Sequence, residues 1–222
     1  MRIVSYDLAK ATLLFSLEEA APLGGVNTAN IILGIADRYH FAKHPDLKTP
    51  REELGKIGLK FEDGFFVGSQ INVSEFNIFS DGIVVSAKTT DDAEYFIADI
   101  LQFMRENHNF REFIEAPLTR FISQIVVEFS SKLASLIKDH NLIANLISSQ
   151  LSSIYQESIS LDFSRLDFEF DKIGTKSPLI VPRFVIERRP GVAFERERYY
   201  CFAPLRTRDH IRVLEEIENS IT

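Results

Sequence analysis

The 222-residue chain has one cysteine, Cys201, and no tryptophan. A single thiol cannot close an intramolecular disulfide. That excludes a disulfide-stapled secreted scaffold and points to a reducing compartment. The aromatic content is 19 Phe and 6 Tyr, which predicts a Phe-packed core rather than a Trp-anchored binding surface. No stretch reaches 18 consecutive apolar residues, so no transmembrane helix is expected. The opening MRIVSYDLAKATLLFSLEEA is interrupted by Asp7 and Lys10 and reads as neither a signal peptide nor a membrane span. These absences together give the expectation of a cytoplasmic protein with no membrane association.

Nucleotide-binding fingerprints are missing as well. Neither GxGxxG nor GxxxxGK[ST] occurs, and GGVNTAN, with Gly24 and Gly25, reads as a helix approach loop rather than a phosphate cradle. His40 and His44 have an i, i+4 spacing that suits zinc. The residues between them are Phe41, Ala42 and Lys43, so the glutamate of HExxH is absent. No cofactor is expected. Cys201 sits among Tyr199, Tyr200 and Phe202 and reads as a buried small hydrophobe.

What is present is a soluble composition, 45% hydrophobic and 26% charged, with a net charge of −7. Net negative charge argues against a dedicated nucleic-acid binder, because phosphate rewards a basic surface. The charge is uneven. Between Arg183 and Arg212 there are eight Arg, no Lys and four acids. That segment carries +4, so with a total of −7 the rest carries −11. Arg is favoured over Lys where planar, bidentate contact matters. Arg188, Arg189, Arg196, Arg198, Arg206 and Arg208 are therefore the candidate interaction or anion-binding residues. The readings are pairing with the acidic remainder, a protein contact, or phosphate binding.

Periodicity predicts mixed strands and helices. Residues 2–17 suggest one or two strands, and TANIILGIADRY a short helix. Thr49, Pro50 and Glu52 predict a capped helix at 50–56. Asp63-Gly64 and Asp81-Gly82, each between apolar flanks, predict hairpin turns. DDAEYFIADILQFMRE predicts a helix capped by Asp91 and burying Ala93, Phe96, Ile97, Ile100, Phe103 and Met104. FISQIVVEFS reads as a strand. A long helix is expected near 132–156, with the stripe Leu133, Ile137, His140, Ile143, Ile147, Leu151 and Ile154. ISLDFSRLDFEFDK, IVPRFVIERR and AFERERYYCFA read as strands, and Thr207 as the cap of a final helix. The order predicts an α+β fold: a largely antiparallel sheet with hairpins against three to four helices. The expectation is one domain over 1–222, with 1–57 as a candidate N-terminal subdomain.

Two acidic sets have the residue types for chemistry. Asp92 and Asp99 lie seven residues apart on one helix, about 10.5 Å along its axis, too far to share a proton. Asp167, Glu169 and Asp171 alternate along a strand and are weak candidates for a metal site. Same-face neighbours there are about 6.7 Å apart, so cross-strand ion pairs are the simpler account.

FSDGIVVSAKTTDDAEYFIADIL and PRFVIERRPGVAFERERYYCFAPLRTRDHIRVLEEIE, with the segments between, resemble conserved hypothetical proteins of bacteria from about residue 58 onward. The resemblance implies a bacterial or phage origin and no particular activity. The sequence thus leads to a non-enzymatic interaction or structural protein that self-associates or binds another protein. The alternative is a phosphate-ligand or nucleic-acid binding protein, in the extreme a metal-dependent nuclease. There Arg196, Arg198, Arg206 and Arg208 would grip phosphate and the 167–171 row would hold a cation.

Overall fold

A computed structural model describes residues 1–21, 28–47, 58–171 and 181–221. The expected helix at 50–56 and the Gly24–Gly25 loop lie outside them. The chain divides into two compact units. One comprises Asp7–Ser123 with Pro204–Thr207; the other comprises Met1–Tyr6, Gln124–Ala203 and Arg208–Thr222.

The fold is α+β and its strands pair antiparallel. The described strands are β1 (Arg2–Leu14), β2 (Leu59–Phe66), β3 (Ile71–Phe79), β4 (Gly82–Ala87), β5 (Leu118–Glu128), β6 (Arg165–Phe168), β7 (Phe184–Arg188) and β8 (Arg198–Ala203). The described α-helices are α1 (Leu17–Ala20), α2 (Thr28–Arg38), α3 (Thr90–His108), α4 (His140–Tyr155) and α5 (Thr207–Ile221).

In the first unit the strand order is β2-β3-β4-β1. The β3–β4 hairpin turns over Ser80 and Asp81, with Phe79 paired to Gly82. Gly82 is required by proximity as well as by its φ of 147°, since a Cβ there would lie 2.2 Å from the Leu13 carbonyl on β1. Asp63-Gly64 is not a hairpin turn. Strand β2 runs through it, and the turn falls at 67–70. Asp63 takes φ 56° inside the strand, and the register with β3 is the same on either side of it. Gly64 is there because a Cβ would meet the Phe41 ring at 2.4 Å.

Helix α3 packs on β3 and β4. It buries Ala93, Phe96, Ile97, Ile100 and Met104, as its periodicity predicts, while Phe103 is only partly buried. Its cap is Thr89, not Asp91: the Thr89 hydroxyl accepts from the Asp92 N–H, and the Asp92 carboxylate accepts from the Thr89 N–H. The core is aromatic. Phe96 is fully buried, 4.6 Å from the Tyr39 ring and 5.3 Å from Phe76. Thr207 is the first residue of α5 and caps a different helix from the one expected. Its hydroxyl accepts from the Thr90 N–H at 3.0 Å, and the Thr90 hydroxyl accepts from the Thr207 N–H at 2.7 Å.

In the second unit the strand order is β5-β8-β7-β6. Its core gathers Ile125, Val127 and Phe129 of the β5 segment, Leu133, Ile186, Cys201 and Leu214. Two expected strands are shorter than their patterns. Only 165–168 of the acidic stretch pairs as a strand, and Phe194–Arg196 is a 3-10 turn ahead of β8. The long helix is also shorter. Leu133–Leu136 is a 3-10 turn, Asp139 turns the backbone at φ 61°, and α4 begins only at His140.

Candidate functional site

Arg206 grips Glu94 of α3 through both Nε and a terminal nitrogen, at 3.0–3.2 Å, and lies 4.4 Å over the Phe121 ring. Arg198 and Arg2 both bond Glu128, and the two guanidiniums hold that carboxyl below its ordinary pKa. Arg189 and Arg208 also have interaction partners. Arg196 is exposed, with no side-chain partner among the described residues.

Arg188 is different in kind. Its side chain is 8% exposed and so is that of Glu197. The guanidinium donates to Glu197 Oε1 at 3.4 Å, to the Tyr199 hydroxyl at 2.8 Å and to the Phe163 and Phe194 carbonyls at 3.2 and 2.9 Å. Glu197 Oε2 in turn accepts from Tyr199 Oη at 2.8 Å and from the Leu133 N–H at 3.2 Å. Burial, reinforced by the Glu197 carboxylate, pushes the Tyr199 phenol well above its ordinary pKa. Leu133 and Phe163 bracket the segment that carries α4. The Arg188–Glu197 pair therefore clasps both ends of that segment to β7 and β8.

The acidic row is taken up by ion pairs. Asp167 meets Arg165 at 2.8 Å and Arg183 at 3.5 Å; Glu169 meets Arg183 at 3.3 Å. Asp171, beyond the strand, also has a partner. Among the described residues no cluster of three or more His, Cys, Asp or Glu could hold a metal ion. His40 lies just after α2 at φ 49°, and the His44 ring is 3.0 Å from the Pro45 carbonyl. Asp99 serves structure: it accepts from the Tyr39 hydroxyl at 2.6 Å and from Arg38 at 2.9 Å. Cys201 is fully buried, and burial raises its thiol pKa, which leaves it unreactive.

The surface feature left over is α4, which sequence reasoning credited with an apolar stripe but could not orient. It buries none of its sixteen residues. Its chain contacts are on the serine side. Ser148 Oγ accepts from the Leu161 N–H at 3.0 Å, and Ser152 Oγ accepts from the Ile159 N–H at 2.9 Å. At 100° per residue, Leu142, Ile143, Leu146, Ile147 and Ile154 fall on the opposite arc. Their exposure runs from 46% at Ile147 to 69% at Ile154. The helix thus turns Ala144, Ser148, Leu151 and Ser152, all half-buried, toward the chain and leaves large apolar side chains of the other arc exposed, unlike an ordinary amphipathic helix. Alongside it runs a groove of about 280 Å³, between Ile143, Ala144 and Ile147 on the helix and Leu161–Phe163 on the return segment.

No protein-family model matches the sequence, and no curated protein matches it significantly. Among the described residues no helix is long and apolar enough to cross a membrane.

Proposed function

We propose that this chain is a non-enzymatic interaction protein of the cytoplasm that binds a protein surface, its own or another's, on the outward face of α4. The observation that supports this reading is the exposed apolar arc of α4. Exposing large apolar side chains to water forgoes roughly 1.5–3 kcal/mol apiece. A contiguous patch of them on a monomer marks a binding surface. The five side chains together present on the order of 500–600 Å². The patch is held in place rather than loose, because the Arg188–Glu197 clasp fixes both ends of its segment. A bacterial or phage origin rests on the resemblance alone.

The phosphate reading has less to draw on. A guanidinium already paired to a carboxylate must give up that partner before it can take a phosphate. Of the six candidate arginines only Arg196 has no side-chain partner among the described residues.

A photoreactive side chain at Leu146, on the outward arc, tests the docking reading against one at Asn145, on the serine side. Covalent adducts to a second polypeptide should form from position 146 and not from 145. Adducts from neither position, or equally from both, would sink the reading.

A further inference from the structure

We propose that the occupant of the α4 face is a second copy of this chain, paired α4 to α4 about a two-fold axis. This rests on the reading of α4 as a docking surface and names its partner.

Charge makes the first argument. Residues 140–155 contain no Asp, Glu, Lys or Arg, in a chain that is 26% charged with a net −7. Two copies of an acidic protein repel wherever ionised surfaces meet. On α4 they can approach without bringing like charges together. The same neutrality leaves nothing for a foreign partner to read by charge, and charge complementarity is the usual source of register between different proteins.

Symmetry makes the second. A two-fold contact places one patch against itself, so the patch must be self-complementary. Leu142 with Leu146 and Ile143 with Ile147 form two adjacent rows at i, i+4. Such rows on one helix pack between the equivalent rows of another. Gln150 lies on the same outward arc and is exposed. An amide carries both donor and acceptor, so it can satisfy an identical amide across the axis.

Area makes the third. Two apolar faces of this size bury roughly 1,000–1,200 Å² together, which meets the threshold that a specific interface must clear. The groove beside Ala144 gives a partner's leucine or isoleucine a place to insert. A lipid surface fits less well. Interfacial helices carry Lys and Arg on the polar face, and here that face is Asn and Ser.

The experiment uses the full chain in light-scattering chromatography over a range of concentrations. Leu146→Glu and Leu146→Lys are made separately, with circular dichroism to confirm that each folds. The wild type should have twice the chain mass. Each variant should dimerise on the order of 100-fold more weakly, because an unpaired charge is buried at the seam. An equimolar mixture of the two should recover the dimer, since the opposite charges then face each other. Wild type that stays monomeric would overturn the second-copy proposal; whether the docking reading survives is then read from the crosslink at position 146. A dimer that both variants retain would overturn α4 as the seam. Loss in both variants without recovery in the mixture would overturn the α4-to-α4 pairing in favour of a head-to-tail contact. A monomer that sediments with anionic vesicles would replace the second copy by a lipid surface.

Discussion

Helices α3 and α4 look alike as patterns and are treated in opposite ways by the fold. Both carry an apolar stripe at helical spacing. Helix α3 buries its stripe, starts with a reciprocal cap at Thr89 and ends at Asn109 in the left-handed region, whose N–H closes on the Met104 carbonyl. Helix α4 buries nothing and has no side-chain hydrogen bond at its N-cap. The telling difference is on the polar side. In α3 that side is ionised, with Asp91, Asp92, Glu94, Arg105 and Glu106, so it belongs in water. In α4 it is Asn and Ser, and two of them, Ser148 and Ser152, accept from backbone N–H groups of the return segment. A helix that lacks any charged residue has no face committed to solvent.

The sharpest way to break this comparison is Phe96→Ala. Phe96 is fully buried on α3 among Tyr39, Phe41 and Phe76. Its removal should cost about 3–5 kcal/mol, read as a fall in the urea midpoint. A loss below ~1 kcal/mol would mean that α3 is no better packed than α4.

Next in size is Glu197→Ala. It strands the buried Arg188 guanidinium and leaves the Leu133 N–H without its acceptor. Removing one partner of a buried pair costs about 3–5 kcal/mol. The distinguishing readout is where the damage falls. Hydrogen exchange should accelerate across 133–163 before it does in α3. Uniform acceleration over the whole chain would show that the clasp does not act locally.

Much of the fold was legible because local rules and the core agreed. The α3 stripe, the β5 alternation and the antiparallel hairpins follow from period and turn residues. Where the sequence misled, a second requirement was hidden in the same residues. Asp63-Gly64 has hairpin chemistry, but Gly64 answers to the Phe41 ring packed against it. Asp91 and Glu94 have capping spacing, but Thr89 lies two residues earlier with Asp92 in reciprocal position. Residues 132–156 carry one stripe, yet Asp139 breaks the run. The eight-arginine bias was visible. That Arg188 closes a buried network with Glu197, Tyr199 and Leu133 was not, because its partners are spread over more than sixty residues. The orientation of α4 was also hidden, since an inward stripe and an outward one need the same letters.

The second unit also holds a histidine that makes it acid-sensitive. His210 on α5 is fully buried against the Phe184 ring, and burial pushes its pKa down to about 4. The unfolded chain titrates near 6.5. Below that pH the unfolded state takes up a proton that the folded state refuses, so stability is complete above about 6.5 and falls as pH drops toward about 4. The loss approaches ~3 kcal/mol at the bottom of this window. His210→Gln should flatten the slope between those values. An unchanged slope in the variant would move the acid sensitivity to other groups.

The smallest effects bear most directly on how α4 lies. In a dilute, monomeric sample, Ser152→Ala removes the acceptor for the Ile159 N–H and should cost about 1 kcal/mol. Leu146→Ala, on the outward arc at 59% exposure, should change monomer stability by less than ~0.5 kcal/mol. For an ordinary amphipathic helix the order is the reverse, with leucine costly and serine neutral. The pair therefore separates the two orientations by sign rather than by size. If the same Leu146→Ala becomes costly as concentration rises, while Ser152→Ala does not change, the apolar arc is meeting a partner and the serine arc is holding the helix to its own chain.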